Sequence, residues 1–99
     1  MLFSERVLEV IKRIPEGKVA TYGGVARALG KPRAWRAVGG ALNKNRRPVV
    51  VPCHRVIMSD GGVGGYSSGV DEKIALLRKE GVAVKDGKVV DLKDHLYEF

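Results

Sequence analysis

The side chains of this 99-residue sequence that are best suited to chemistry are those of Cys53, His54 and Arg55, which are consecutive and follow a proline. A thiol is nucleophilic only as the thiolate, and a free thiol is mostly protonated at neutral pH. An adjacent imidazole can take the proton, directly or through a water, and cationic surroundings stabilise the resulting charge. The pattern therefore permits a nucleophilic Cys53, although a lone cysteine is more often a small buried apolar residue.

Metal and disulfide chemistry are not predicted. One cysteine and two histidines are too few for a closed zinc site, and adjacent Cys53 and His54 would point apart on an extended backbone. One cysteine forms no internal disulfide, and the first residues do not resemble a signal peptide, so a reducing cytoplasm is the expected compartment. No apolar run approaches the roughly 18 residues that cross a bilayer, so no membrane partner is predicted.

Positive charge is concentrated in the middle of the chain. The net charge is +7, and the stretch from Gly17 to Ser59 contains no acidic residue. Its basic residues are Lys18, Arg27, Lys31, Arg33, Arg36, Lys44, Arg46, Arg47 and Arg55. Such a block attracts polyanions by counterion release and electrostatic steering, so nucleic-acid binding is predicted, with a generic basic surface as the alternative.

Helix signals indicate the elements that must position these residues. A first helix is predicted to begin with Ser4 as its N-cap and to end before Pro15. Thr21 is the predicted N-cap of a second helix that stops at Gly30, and Pro32 suits the first turn of a third. Two short helices joined by a tight glycine-containing turn, the second basic, form a helix-turn-helix pattern.

The rest of the chain is predicted to be a mixture of short strands, a loop and one more helix. Val49–Val51 and Val56–Met58 resemble short buried strands, and Ser59–Gly69 is rich in glycine and serine and is predicted to be a loop. A fourth helix closes at Gly81, and Val82–Val90 resembles a hairpin with a type I′ turn. The predicted fold is therefore mainly α with short β segments, a winged-helix-like helix-turn-helix domain.

Several motifs spread along the chain resemble one known family. They are Pro52-Cys53-His54-Arg55-Val56, Thr21-Tyr22, Arg36-Ala37-Val38-Gly39-Gly40-Ala41, Asn45, Gly65-Tyr66-Ser67 and Glu80-Gly81. Together they resemble the O6-alkylguanine-DNA alkyltransferases, also called methylated-DNA–protein-cysteine methyltransferases. The resemblance runs from about Phe3 to Gly81 without a gap.

The resemblance implies catalytic roles for five residues. Cys53 would accept the alkyl group, His54 would act as a base through a bound water, and Glu80 would orient His54. Asn45 would brace the active-site turn, and Tyr22 would protonate N3 of guanine as that base leaves. In the absence of the resemblance, Glu80 would be an exposed helix-end carboxylate, Asn45 a turn residue, and Tyr22 a half-buried aromatic.

The resemblance also implies that the third helix lies in the minor groove of DNA. Arg36 would enter the base stack and replace the extruded guanine. The predicted contact residues are Thr21, Tyr22, Arg33, Arg36, Ala37, Gly39, Gly40 and Ala41. Two glycines inside a helix cost about 1 kcal/mol each relative to alanine, and such small residues permit a close approach, either of DNA or of a neighbouring helix.

The predicted substrate pocket follows from the same resemblance. Its residues would be Val56, Tyr66, Ser67, Ser68 and Lys73, with Lys73 adding positive potential that favours the thiolate. The alternative for Lys73 is a solvated helix charge. Ser68 stands where the family commonly has glycine, which would narrow the pocket, and Trp35 replaces a usually smaller residue for a reason the sequence does not give.

The predicted function is DNA repair by a single irreversible transfer. The protein would bind duplex DNA containing O6-alkylguanine in the minor groove, extrude that base and move its alkyl group to Cys53, as a monomer and without a cofactor. It would work in the cytoplasm, associated with the nucleoid. Family members usually carry an additional N-terminal domain, so residues 1–99 are predicted to be a single catalytic and DNA-binding domain that lacks it.

Two other functions compete with this prediction. Alkyltransferase-like proteins bind and flip alkylated guanine without transfer and recruit excision repair, but they typically have tryptophan or alanine where Cys53 stands. A plain helix-turn-helix regulator is the third possibility, and it would leave Cys53, His54, Asn45 and Glu80 without a purpose.

Overall fold

The computed structural model describes residues 2–45 and 51–99, which form helices and short strands. The helices are α1 (Phe3–Ile11), α2 (Tyr22–Ala28), α3 (Trp35–Asn43), α4 (Val70–Lys79) and α5 (Leu92–His95), and the strands are β1 (Ala20–Thr21), β2 (Val56–Ile57), β3 (Val84–Lys85) and β4 (Lys88–Val89). Strand β1 pairs in parallel with β2, and β3 pairs antiparallel with β4. The predicted mainly helical fold with short strands is confirmed. No helix in the described ranges is long and apolar enough to span a bilayer.

The first helix begins earlier than predicted. Leu2 is the N-cap, so Ser4 lies inside the first turn of α1. The physical reason is the carboxylate of Glu5, whose Oε1 accepts the backbone N–H of Leu2 at 3.3 Å and satisfies a donor at the helix start. The helix buries Val7 and Ile11 against α2 and α3.

The second helix begins and ends as predicted. Thr21 is its N-cap, and Oγ1 of Thr21 accepts the N–H of Gly24 at 2.9 Å. The backbone reverses at Gly30, whose φ of 75° lies in the left-handed region that glycine adopts without a steric penalty. These two residues fix the N-terminal position and the length of α2.

The third helix begins later than predicted. It starts at Trp35, because Lys31–Ala34 form a turn in which the N–H of Ala34 bonds to the carbonyl of Lys31 at 2.9 Å. Pro32 occupies the second position of that turn, where its fixed φ is favourable. The turn completes the predicted helix-turn-helix.

Cys53 opens a single 3-10 turn, Cys53–Arg55, that leads directly into β2. The prediction that Cys53 and His54 lie on an extended backbone is therefore wrong, because the N–H of Arg55 bonds back to the carbonyl of Pro52 at 3.0 Å. Pairing of β2 with β1 brings this turn beside the start of α2. The strand predicted over Val49–Val51 falls largely outside the described residues.

The remaining elements surround a second cluster of buried residues. Helix α4 ends before Gly81, as predicted, and the hairpin turns at Asp86 and Gly87, whose φ values of 53° and 75° fit a type I′ turn. Apolar side chains of α4 and the hairpin pack on β2, with Leu77 and Ile57 fully buried. Cys53 belongs instead to the first cluster, between α1, α2 and α3.

Candidate active site

The sulfur of Cys53 lies at a narrow cavity and is held by an amide. Its residue is only 5% exposed, and Nδ2 of Asn45 donates to Sγ at 3.2 Å and to the carbonyl of Val51 at 3.0 Å. An N–H aimed at sulfur stabilises a thiolate more than a thiol. The cavity is lined by Tyr22, Leu42, Asn43, Cys53, Gly65, Tyr66 and Ser67.

One buried carboxylate joins the two residues that follow Cys53. Oε2 of Glu80 lies 3.0 Å from Nε2 of His54, while Arg55 donates from Nε to Oε1 at 2.9 Å and from Nη2 to Oε2 at 2.6 Å. Arg55 also donates from Nη1 to the carbonyl of Ile14 at 2.8 Å. The side chain of Glu80 is 7% exposed, so the alternative of an exposed helix-end carboxylate is wrong.

This carboxylate sets the proton arrangement of His54. Burial raises the pKa of Glu80, but hydrogen bonds from Arg55 and His54 outweigh burial and hold that pKa below its ordinary value. A charged Glu80 accepts a hydrogen bond from the protonated Nε2, which leaves Nδ1 as the basic nitrogen of the neutral ring.

The basic nitrogen of His54 is buried and has no hydrogen-bond partner among residues 2–45 and 51–99. Burial lowers the pKa of His54; Glu80 opposes this effect, and the charges of Arg55 and Lys73 add to it. The ring is therefore neutral at pH 7, the form that can accept a proton.

Lys73 lies fully inside the protein, so the alternative of a solvated helix charge is wrong. Its Nζ donates to the carbonyl of Val56 at 2.7 Å and to that of Gly65 at 3.1 Å, and lies 5.8 Å from the ring centre of Tyr22. Burial lowers the pKa of Lys73 to about 8, against an opposing effect of Cys53. Lys73 thus joins β2 to the loop beside the cavity.

Two phenols face the sulfur. Burial, and secondarily the charge of Cys53, raise the pKa of Tyr22. Burial, the charge of Cys53 and its capacity to accept a hydrogen bond raise the pKa of Tyr66 to about 12. The hydroxyl of Tyr66 nevertheless makes no hydrogen bond of ordinary geometry within the described residues, so it lies near Cys53 without bonding to it. Both phenols are protonated at neutral pH.

The predicted pocket residues are not all in the cavity. Tyr66 and Ser67 line it, whereas Val56 is fully buried behind it and Ser68 is exposed to solvent. The cavity has a volume of about 10 Å³, room for about one water molecule. A larger cavity of about 340 Å³ lies between α2 and residues 96–99, but no nucleophilic thiol or basic imidazole lines it.

Several of the predicted DNA-contact residues lie exposed on α3 and in the turn before it, whereas Thr21 and Tyr22 are partly buried. Arg33, Arg36, Ala37 and Gly40 are exposed, and Gly39 is partly exposed. Among residues 2–45 and 51–99, a Cβ added to either glycine would meet nothing within 4 Å, so close packing against a described helix does not explain these glycines. Ala41, which was also predicted to contact DNA, is 6% exposed and packs into the core.

Not every predicted cation is available to a polyanion. Arg55 is neutralised by Glu80, whereas Lys18 keeps its charge and donates from Nζ to the carbonyl of Asp94 at 2.9 Å. Arg27, in the last turn of α2, and Lys44, the C-cap of α3, are exposed. Arg46 and Arg47 lie outside the described residues.

Sequence reasoning missed two residues that line the cavity, Leu42 and Asn43. Arg55 belongs to the predicted motif, but its bond to Glu80 was not predicted, because no local pattern indicates a carboxylate that lies 25 positions away along the chain. The burial of Lys73 had a usable signal, since it is four residues before buried Leu77 and therefore on the same helical face.

A helix-turn-helix domain that carries a buried cysteine, imidazole and carboxylate defines a narrow class of proteins. Residues 2–82 match the family model described as 6-O-methylguanine DNA methyltransferase, DNA binding domain. The chain therefore belongs to this family.

Known proteins agree with this membership. A methylated-DNA–protein-cysteine methyltransferase of Thermococcus kodakarensis is 51% identical over 81 residues, which cover 81% of this chain and 45% of that protein. The crystal structure of Mycobacterium tuberculosis OGT in complex with DNA matches with a TM-score of 0.80 and 42% identity, over 82% of this chain and 49% of that one. The chain spans about half the length or less of the curated relatives it matches.

A shorter protein is similar over almost its whole length. Schizosaccharomyces pombe Atl1, in complex with damaged DNA containing O6-carboxymethylguanine, matches with a TM-score of 0.87 and 33% identity. The match covers 98% of this chain and 95% of that one. These structures confirm the helix-turn-helix fold.

Proposed function

We propose that residues 1–99 act as one catalytic and DNA-binding unit that extrudes O6-alkylguanine from duplex DNA and transfers its alkyl group irreversibly to Cys53. The observation that carries the proposal is the cavity-facing sulfur, which accepts an amide N–H from Asn45 beside a buried His54–Glu80 pair. Family membership and the DNA complex of the similar mycobacterial protein support it.

Activation of the thiol needs a base and a stabilised anion. Nδ1 of His54 is buried and is the basic nitrogen, and it would take the thiol proton through a bound water. The resulting thiolate would accept the N–H of Asn45, and the cationic form of Lys73 would add a favourable charge. Glu80 would then stabilise the positive charge on His54.

Transfer is a direct displacement. The thiolate attacks the alkyl carbon, a carbon–sulfur bond forms as the bond to O6 breaks, and the electron pair leaves with guanine. Tyr22 would donate its proton to N3 of that anion, a role supported by its protonated state at neutral pH and its position at the cavity. The thioether is stable, so each molecule acts once, and no cofactor is required.

Duplex DNA would bind to the exposed surface of α3 and the start of α2. A minor groove has little room, and the open space above Gly39 and Gly40 suits close approach of its walls. Arg36 would fill the place of the extruded base. A guanine does not fit a cavity of about 10 Å³, so Tyr66 and Ser67 would be displaced when the base enters.

We also propose a setting for this activity. The protein would act as a monomer on double-stranded DNA, in the cytoplasm and associated with the nucleoid. Its exposed cations, Arg27, Arg33, Arg36 and Lys44, support an electrostatic contribution to DNA binding.

A damage sensor that flips alkylated guanine without transfer and recruits excision repair is the second candidate. It is favoured by the similarity to Atl1 over 95% of that chain, in a complex with damaged DNA. The groups arranged around Cys53 favour transfer, because a sensor needs neither an activated thiol nor a base.

Titration with a duplex containing radiolabelled O6-methylguanine tests the proposal. We expect the label to move to protein until one methyl group is bound per molecule, and Cys53→Ser to bind the duplex without acquiring label. Tight binding of wild-type protein with the label left on DNA would overturn transfer and support the sensor.

A further inference from the structure

Trp35 presents a large apolar surface to water beside Arg36. It is the first residue of α3 and the only tryptophan of the sequence, and it is 48% exposed. The guanidinium carbon of Arg36 lies 5.0 Å from the centre of its ring, within the distance of a cation–π interaction.

Among the described residues, Trp35 lies in no buried cluster and Arg36 in no ion pair. The buried face of α3 consists of Val38, Ala41 and Leu42, and Trp35 belongs to neither cluster of buried residues. No ion pair within residues 2–45 and 51–99 involves Arg36. The indole is therefore the surface on which the guanidinium rests.

We infer that Trp35 is a DNA-positioning residue that holds Arg36 ready to enter the base stack and itself packs against the duplex beside the extruded base. This inference rests on the proposed function. A free arginine side chain samples many rotamers, and ordering it on binding reduces affinity. An arginine already resting on a rigid indole loses less freedom.

The indole also supplies the apolar surface that minor-groove proteins use. Proteins that deform duplex DNA from this side insert or pack apolar side chains against base steps. Trp35 adjoins Arg36 in sequence, is likewise exposed at the start of α3, and has its ring in contact with the guanidinium. Contact of Arg36 with the stack therefore brings the indole to the same step of the duplex.

The test compares transfer from duplex with transfer from the same methylated strand left unpaired, which needs no extrusion. We expect Trp35→Ala to slow the duplex reaction about tenfold and the single-strand reaction by less than about twofold, with Trp35→Phe between Trp35→Ala and wild type. Val90→Ala, which truncates another exposed apolar residue, is the matched control and should alter neither rate.

The outcomes separate this inference from the proposed function. Equal slowing of both reactions, or no slowing, by Trp35→Ala overturns the role of Trp35 while wild-type transfer still stands. Failure of wild type to transfer from either strand form overturns the proposed function itself.

Fluorescence of the wild-type protein gives a second test that needs no variant of Trp35. Emission of Trp35 should change in the free protein when Arg36→Ala removes the guanidinium, and should change again when wild type is saturated with duplex. Emission that is unchanged by saturating duplex would show that the indole does not contact DNA, and would overturn the inference.

Discussion

At the scale of single residues, Glu80 connects two neighbouring side chains whose roles differ. It fixes the tautomer of His54 and neutralises the guanidinium of Arg55, which is bound at both carboxylate oxygens. Loss of its charge would therefore disturb the base of the reaction and leave a partly buried cation without a counter-ion.

Glu80→Gln is expected to lower both stability and activity. Breaking a buried ion pair from one side costs about 3 kcal/mol, which urea unfolding would measure, and the transfer rate should fall by more than about tenfold as His54 loses its orientation. Arg55→Lys keeps the positive charge but cannot bond to both carboxylate oxygens as the guanidinium does, so its loss of stability should be smaller than that of Glu80→Gln. A Glu80→Gln protein of unchanged stability and rate would contradict this role.

Lys73 makes stability depend on pH in a defined direction. Its pKa is about 8 in the folded protein against an ordinary 10.5, so between these values the unfolded chain binds more protons than the folded one. The free energy of unfolding therefore rises with pH in this interval, because the cost of burying the charge is complete below the folded pKa and vanishes above the unfolded one.

Urea unfolding from about pH 8 to about pH 9.5 measures this effect. We expect the free energy of unfolding of wild type to increase by about 1–2 kcal/mol relative to Lys73→Met. Both proteins contain Tyr22 and Tyr66, so any ionisation of these phenols cancels in the comparison. Parallel curves for the two proteins would mean that Lys73 titrates normally.

At the scale of elements, the glycines of α3 lower the stability of the helix and leave open space at its surface. Its exposed Gly40 has open space above it, so an alanine there would fit the folded protein and strengthen the helix. Gly40→Ala should raise the free energy of unfolding by about 1 kcal/mol and weaken binding to duplex DNA, because the added methyl group occupies the space proposed for the groove wall.

Thermal unfolding and fluorescence anisotropy with a labelled duplex measure the two effects. Ser4→Ala, which improves helix propensity in α1 away from the predicted contacts, is the control and should leave the affinity unchanged. Equal affinities for Gly40→Ala and wild type would argue against a close approach of DNA at this helix.

The elements that sequence predicted well are those governed by local chemistry. The cap at Thr21, the stop at Gly30 and the hairpin turn at Asp86 each depend on one residue and its immediate neighbours. The predicted starts of two helices were wrong because another local interaction prevailed at each. The carboxylate of Glu5 accepts the N–H of Leu2, so α1 begins before Ser4, and the residues around Pro32 form a turn and not the first turn of α3.

The site was only partly predictable, because its decisive contacts are long-range. Cys53 and His54 were identifiable by type, and the family resemblance supplied Glu80 and Asn45. That Arg55 faces Glu80, and that Lys73 bonds to the carbonyl of Val56, follow from packing of α4 against the Cys53 turn. No local sequence pattern predicts that packing.

At the scale of the whole molecule, the basic block is an outer surface only in part. Arg33 is exposed, whereas Arg55 from the same stretch is paired internally. Arg33→Ala should therefore make the slope of log affinity against log salt concentration less steep, by the amount that corresponds to about one phosphate contact. Lys85→Ala, an exposed cation in the hairpin, should leave that slope unchanged. A shared slope for wild type and Arg33→Ala would remove Arg33 from the interface.

The central claim is that the sulfur of Cys53 receives the alkyl group. Intact-mass and peptide mass spectrometry of the protein after reaction with an O6-methylguanine duplex test it most directly. We predict the addition of one methyl group, carried by the peptide that contains Cys53 and absent from Cys53→Ser. An unmodified wild-type protein recovered from a saturated complex, or a methyl group on any other residue, would contradict the claim.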